Sequence, residues 1–289
     1  MKILVTGANG KLGSAIVRAL TPTHEVVGVG GTSDTPPFDM TDFASVRACL
    51  ERVQPQLVVH AAAWTDVDGC AQDSQRATHI NGYGTQNWAV ATFAWGVPVA
   101  YVSTNEVFDG KSTRPYNEYD PTSPINAYGY SKWVGERAIQ TLNPRHYIIR
   151  TSWLFAHNGK NFIHAILNAV KANKPLRVVT DEVANPTFND DLAQAIAELV
   201  LTGRYGCYHL TNAGYTSRYK FARSILDQAG YADVPITPIT HDQWKRASTP
   251  PLFAPLENSA GAGIGITLRT WQEAVRAFLS MTAQPTQGE

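Results

Sequence analysis

The 289-residue sequence has no excess of charge, since 24 lysines and arginines balance 24 aspartates and glutamates. Without a net field, nothing draws the chain to nucleic acid or to an anionic membrane. Its three cysteines, Cys49, Cys70 and Cys207, are odd in number and lack metal-ligand spacing. They read as idle or buried thiols in a reducing cytoplasm. No apolar run approaches membrane-spanning length, and the N-terminal run Ile3–Thr6 stops at Gly7, too early for a signal-peptide core. The eight histidines show no paired metal spacing and are assigned no catalytic role. No unit repeats, and only the tail Thr282–Glu289 has the look of a disordered end. With 44% hydrophobic and 17% charged residues, the rest suits a soluble globular protein.

What is present is an alternation. Apolar runs at Ile3–Thr6, Glu25–Val29, Leu57–Ala61, Val97–Ser103 and Tyr147–Thr151 read as strands. Amphipathic stretches at Lys11–Leu20, Asp42–Val53, roughly Ser74–Trp95 and Ala127–Thr141 read as helices between them. Continuous apolar strands separated by helices predict an α/β fold, a doubly wound parallel sheet covered on both faces. The second half is less regular. Helices are expected at Asn161–Ala172, Asp190–Leu201, Ser217–Ala229 and Arg269–Ser280, with short strands at Leu176–Thr180 and Tyr208–Thr211. This divides the chain into a nucleotide-binding domain over residues 1–152 and a smaller, mixed lobe over 153–289. Segments at about 176–202 are expected to return to the main sheet.

Gly7-Ala8-Asn9-Gly10-Lys11-Leu12-Gly13 follows the first strand and opens a helix. A helix N-terminus offers free N–H groups and partial positive charge to a pyrophosphate. Gly7 permits a tight turn, Gly10 lets backbone approach phosphate, and Gly13 lets helix and strand lie close. The second strand ends Gly28-Val29-Gly30-Gly31-Thr32, with no carboxylate until Asp34 to favour an unphosphorylated ribose. Lys11 is the nearest cation, so NADPH is expected to be accepted, alongside NADH. Asp39 and Met40 could meet the adenine, and Ala61, Ala62, Ala63 and Thr65 end the third strand with small residues that give a cofactor backbone access.

Tyr128 and Lys132 stand one helical turn apart in Asn126-Ala127-Tyr128-Gly129-Tyr130-Ser131-Lys132. A phenol is a poor acid or base near neutrality, and an adjacent cation pulls its pKa down. Lys132 can also bind the nicotinamide ribose. Thr104, at the carboxyl end of the fourth strand, offers a hydroxyl to a substrate carbonyl oxygen. Tyr130 lies on another helical face from Lys132 and cannot share the role.

These motifs carry a family resemblance. The chain resembles the extended short-chain dehydrogenase/reductases, and more narrowly the dTDP-4-dehydrorhamnose reductase family. The matching runs are Thr6–Gly13, Ala61–Asp68, Ser103–Gly110, Pro124–Glu136, Arg150–Phe155, Asn161-Phe162 and Asn185-Pro186-Thr187. The resemblance covers residues 1 to about 215 closely and the rest loosely. It implies a Rossmann-like fold, hydride transfer from NADPH or NADH to the 4-keto carbon of a nucleotide-linked deoxysugar, and Tyr128 as proton donor with Lys132 as its partner. It makes Thr104 the hydroxyl that polarises the ketone, and Thr104, Asn105 and Trp153 the residues that hold the sugar. It leaves a homodimer open. Some relatives dimerise around a metal ion, but no acid cluster in this sequence supports a metal site.

Besides the missing adenine-ribose acid, the chain departs from the family in three places. Asn105 and Glu106 stand where the family has Asp and Tyr, and Thr249–Asn258 replaces an Arg-Pro-x-x-Ser-x-Leu segment. Two other readings remain open at this stage. A nucleotide-sugar epimerase would keep its cofactor through the cycle, whereas a reductase consumes one NAD(P)H per sugar. A non-catalytic regulatory subunit of the same fold would have no need of Thr104, Tyr128 and Lys132 together.

Overall fold

Runs of Val, Ile and Leu form the strands because branched side chains pack well on a pleated surface. In the first half these are β1 (Lys2–Thr6), β2 (Glu25–Val29), β3 (Leu57–His60), β4 (Val99–Thr104) and β5 (His146–Thr151). Between them lie the helices α1 (Lys11–Leu20), α2 (Phe43–Val53), α3 (Val67–Gln72), α4 (Ser74–Ala77), α5 (Gly84–Ala94) and α6 (Ala127–Leu142). The second half continues with β6 (Leu154–Phe155), α7 (Phe162–Lys171), β7 (Leu176–Val179), β8 (Val183–Ala184), β9 (Thr187–Phe188) and α8 (Asn189–Leu199). It ends with β10 (Gly206–His209), β11 (Thr216–Ser217), α9 (Arg218–Gln228), β12 (Ile236–Ile239), α10 (Ser259–Ala262) and α11 (Trp271–Ala283). The computed structural model describes residues 1–30 and 38–283. Residues 31–37, Asp34 among them, and most of the tail expected to be disordered lie outside the described residues.

Six strands form one parallel sheet in the order β10-β5-β4-β3-β1-β2. The order reverses between β1 and β3, and a doubly wound sheet opens its ligand crevice at such a point, beyond the strands' carboxyl ends. One face is covered by α1 and α8 over a core that includes Ile3, Val5, Ile16, Leu57, Ile149 and Ile196. The other is covered by α2, α5 and α6 over Leu4, Val46, Val58, Trp88, Tyr101 and Ile148. A separate aromatic core, with Phe155, Phe188, Phe221, Trp271 and Phe278, fills the lobe. No helix among the described residues is long and apolar enough to cross a membrane.

Two expectations need correction. The stretch 74–95 is not one helix: a π segment, Thr78–Tyr83, joins α4 to α5, and α3 precedes them. The widened turn accommodates the fully buried Asn81, whose side chain is held by groups outside the helix. The strand at 176–179 does not return to the main sheet; it pairs with β12 in the lobe. What returns is α8, packed on α1, and then β10, paired with β5. Both bring apolar side chains to the same core, which the alternating pattern of β7 does not.

Candidate active site

The glycine turn lies at the reversal point. Gly7 has φ +68°, a region that favours glycine, and a Cβ on Gly13 would stand 2.0 Å from the Gly7 carbonyl oxygen. Helix α1 can therefore start hard against β1 only with glycine there. Gly10 is its N-cap, exposed, with no side chain capping the helix and no acid in its first turn. Leu12 is buried in the core beneath. Asn9 donates from Nδ2 to the Gly30 carbonyl at 3.2 Å, and the Ala8 N–H donates to Val29 at 3.1 Å, so the turn is tied to the end of β2. Ala61, Ala62 and Ala63 are half-buried beside it, with the Ala62 N–H donating to Thr6 Oγ1 at 3.2 Å. Thr65 is exposed at the end of this stretch. An uncapped helix N-terminus with bare backbone beside it fits a dinucleotide diphosphate.

The other expected cofactor residues are more constrained. The Lys11 ammonium donates to the Lys160 carbonyl. Asp39 Oδ1 accepts from both the N–H and the hydroxyl of Thr41, each at 2.8 Å. The Met40 side chain is buried against Gly84 rather than standing open.

Thr104 ends β4 and caps the 3-10 turn Asn105–Val107 that follows. Helix α6 starts against that turn: a Cβ on Gly129 would lie 2.0 Å from the Glu106 carbonyl oxygen. Asn126 fixes the contact from the helix side. Its Oδ1 caps the Gly129 N–H at 2.8 Å, and its Nδ2 donates to Glu106 Oε2 at 2.7 Å and to the Thr249 carbonyl at 3.0 Å. The approach brings Tyr128 to Thr104, whose side chain pulls the phenol's pKa down. Burial outweighs that pull, as does the Glu106 carboxyl, so the phenol titrates above its ordinary range.

This corrects the expected division of labour. Lys132 does not bring the Tyr128 pKa down towards neutrality, because burial and the Glu106 carboxyl prevail. Its ammonium is buried, 4.2 Å from the centroid of the Tyr101 ring, and burial lowers its own pKa to about 7 against the opposing field of Glu136. Glu136 is itself held by Arg150 in a buried two-pronged pair, at 2.9 and 2.8 Å. The Tyr128 phenol is thus protonated at neutral pH, the form that can give a proton away.

Asn105 is buried, and its amide is committed. Nδ2 donates to the Ala254 carbonyl at 3.0 Å, while Thr104 Oγ1 donates to Oδ1 at 3.4 Å. Two of the three departures from the family therefore meet, because an aspartate at 105 could not donate to the Thr249–Asn258 segment. Glu106, the third, faces Asn126, Arg246, Arg218 and Glu182, and burial pushes its carboxyl pKa up. Trp153 is half-buried, with φ +41°, a strained backbone for a tryptophan, and the Arg218 guanidinium 3.6 Å from its ring centroid.

Sequence reasoning missed four residues here. Asn81 Oδ1 accepts from the Trp64 N–H at 2.7 Å, and its Nδ2 donates to the Trp64 carbonyl and to Ser131 Oγ, tying the loop after β3 to α6. A lone amide on the buried side of a helix was the signal available. Arg218, Glu182 and Arg246 converge from separate parts of the lobe, and nothing local in the sequence marks them. Among the described residues no cluster of His, Cys, Asp or Glu could hold a metal ion.

Comparison with known proteins places this geometry. The model of the RmlD substrate binding domain matches residues 1–284. The chain is 36% identical over 279 residues to the spore coat polysaccharide biosynthesis protein SpsK of Bacillus subtilis, covering 96% of each. A dTDP-4-dehydrorhamnose reductase from Clostridium acetobutylicum superposes with a TM-score of 0.92 at 34% identity, over 98% of this chain and 100% of the other. A second, from Bacillus anthracis in complex with NADP, gives 0.91 at 30%, over 97% and 99%.

Proposed function

The chain belongs to the RmlD family of dTDP-4-dehydrorhamnose reductases, NAD(P)H-dependent oxidoreductases, and on that premise we propose that it reduces the 4-keto group of dTDP-4-dehydrorhamnose to give dTDP-rhamnose. The observation that carries the reading is the meeting of the Thr104 hydroxyl with a protonated Tyr128 phenol at the carboxyl edge of β4, beside the glycine turn. Bound at Gly7–Gly13 and along Ala61–Ala63, the nicotinamide cofactor supplies a hydride to the carbonyl carbon. Thr104 holds the keto oxygen, and Tyr128 gives it a proton as negative charge develops there. The Lys132 ammonium steadies the phenolate that remains until solvent reprotonates it. Trp153 and the lobe above it orient the sugar, and covering the site with the lobe excludes water from the charged steps.

NADPH is the cofactor we expect to be used, with NADH accepted. The test is oxidation of each cofactor on addition of dTDP-4-dehydrorhamnose to the purified protein. One NADPH consumed per sugar reduced supports the reading. Isomerisation of the sugar with no net NADPH loss would favour an epimerase. Turnover with NADH and none with NADPH would overturn the cofactor preference alone.

A further inference from the structure

A nucleotide-linked sugar carries a diphosphate one sugar ring away from its ketone, and a diphosphate in a cleft needs fixed cationic donors. On the Thr104–Glu106 side of the site, the lobe supplies two arginines. Arg246 is engaged: its Nε lies 3.3 Å from Asp68 Oδ1 and its Nη1 3.9 Å from Glu182. Arg218 is not. Its nearest carboxylate, Glu182, stands 3.8 Å from Nε, beyond hydrogen-bonding reach, and its guanidinium makes no hydrogen bond to any described residue. Its side chain keeps 23% of its surface exposed.

The guanidinium is nonetheless held in place. It sits 3.6 Å from the Trp153 ring centroid and 5.1 Å from that of Phe162, so stacking fixes its direction while its donors make no hydrogen bond to a described residue. It opens α9, whose positive end adds charge of the same sign. Burial lowers its pKa to about 10, with Glu182 opposing, which still leaves it charged at neutral pH. A planar donor fork, fixed by aromatic rings and paired only with a carboxylate beyond hydrogen-bonding reach, suits an oxyanion.

We propose that Arg218, stacked on Trp153, binds the diphosphate of the nucleotide-sugar substrate. The proposal rests on the reductase reading for the identity of that substrate. The cofactor's own diphosphate is a poor alternative, because the glycine turn that suits it follows β1, whereas Arg218 lies in the lobe within the field of Glu106.

The test compares dTDP with thymidine by titration calorimetry on the full chain, wild type against Arg218→Met, which keeps an apolar stem over Trp153. The variant is expected to bind dTDP about 10- to 100-fold more weakly, with thymidine and NADPH affinities unchanged. Its dTDP affinity should also depend less steeply on salt than that of the wild type. Equal dTDP affinities in the two proteins, or equal losses for dTDP and thymidine, would overturn the proposal. Should Arg218→Met fail to bind NADPH or to fold, Arg218→Gln carries the same comparison. A wild type that binds dTDP no better than thymidine would overturn both this proposal and the substrate identity. A wild type that binds dTDP through Arg218 yet turns over no 4-keto sugar would overturn the reductase reading and leave the diphosphate site standing.

Discussion

Six parallel strands, five from the first half of the chain and β10 from the second, form the main sheet, whereas among the described residues no strand pair in the lobe exceeds the four-residue ladder of β7 with β12. The sheet half is defined by repetition: backbone ladders in register, with apolar side chains on both faces. The lobe is stitched by single polar residues. Asn185 alone donates to the Gly214 and Leu256 carbonyls and accepts from the Leu256 N–H, and Arg269 clasps Asp191 at 2.8 and 2.6 Å. A repetitive scaffold absorbs change at any one position, and a stitched one does not. The proposed chemistry sits at the edge of the first, and the proposed recognition of substrate in the second.

The largest effect expected lies on the sheet side. Tyr128→Phe should lower kcat by about 10²- to 10⁴-fold in steady-state assays while leaving NADPH binding intact. Retention of a near wild-type rate would mean that the proton comes from another group. In the lobe, Asn185→Ala should cost about 3 kcal/mol in urea unfolding, because three buried hydrogen bonds go at once. A cost below about 1 kcal/mol would show the stitching to be redundant and erase the contrast between the halves.

Acid should separate the halves further. His60 and His209 both lie on the six-stranded sheet, and burial holds each pKa down to about 3, with Lys132 and Arg150 respectively adding to the effect. Each is neutral in the native state but takes up a proton near its ordinary pKa of 6.5 once unfolded. Their contribution to stability is therefore full above pH 6.5 and is lost as pH falls towards 3. The slope within that window approaches about 1.4 kcal/mol per pH unit for each histidine. Thermal unfolding across this range should steepen accordingly, and His60→Gln should remove one proton's worth of slope. The smallest effect concerns the seam. Asn105→Asp removes the donor to Ala254 and sets a carboxylate against a carbonyl. A rise in KM for the sugar of about tenfold with little change in kcat is expected. A fall in kcat with KM unchanged would place Asn105 with the chemistry instead.

The same contrast explains what could be read from the sequence. Strands β1 to β5, the turn at Gly7–Gly13 and the i, i+4 pair of Tyr128 and Lys132 are written in local spacing, so periodicity finds them. The Tyr128–Thr104 contact was legible because both lie at predictable ends of regular elements. Arg218 reaches Trp153 from 65 residues away in sequence, and Asn105 reaches Ala254 from 149. No window along the chain holds both partners of either contact. Motif spacing also gave the wrong sense for the phenol's pKa, because neighbours in sequence do not reveal burial or the Glu106 carboxyl.

The π segment Thr78–Tyr83 carries a last consequence, which is one of phase. Each residue of a helix advances its face by about 100°. The extra residue in this turn lets a single rod serve two clients at different bearings. Ala77, Asn81 and Gly82 face inward with Gly82 against Val134 of α6, while further along Trp88, Ala89 and Thr92 face the sheet core. Loss of one residue there would leave composition and hydrophobicity untouched, yet it would turn α5 by more than a quarter of a revolution. The exposed Phe93 and the buried Thr92 would then compete for the same side.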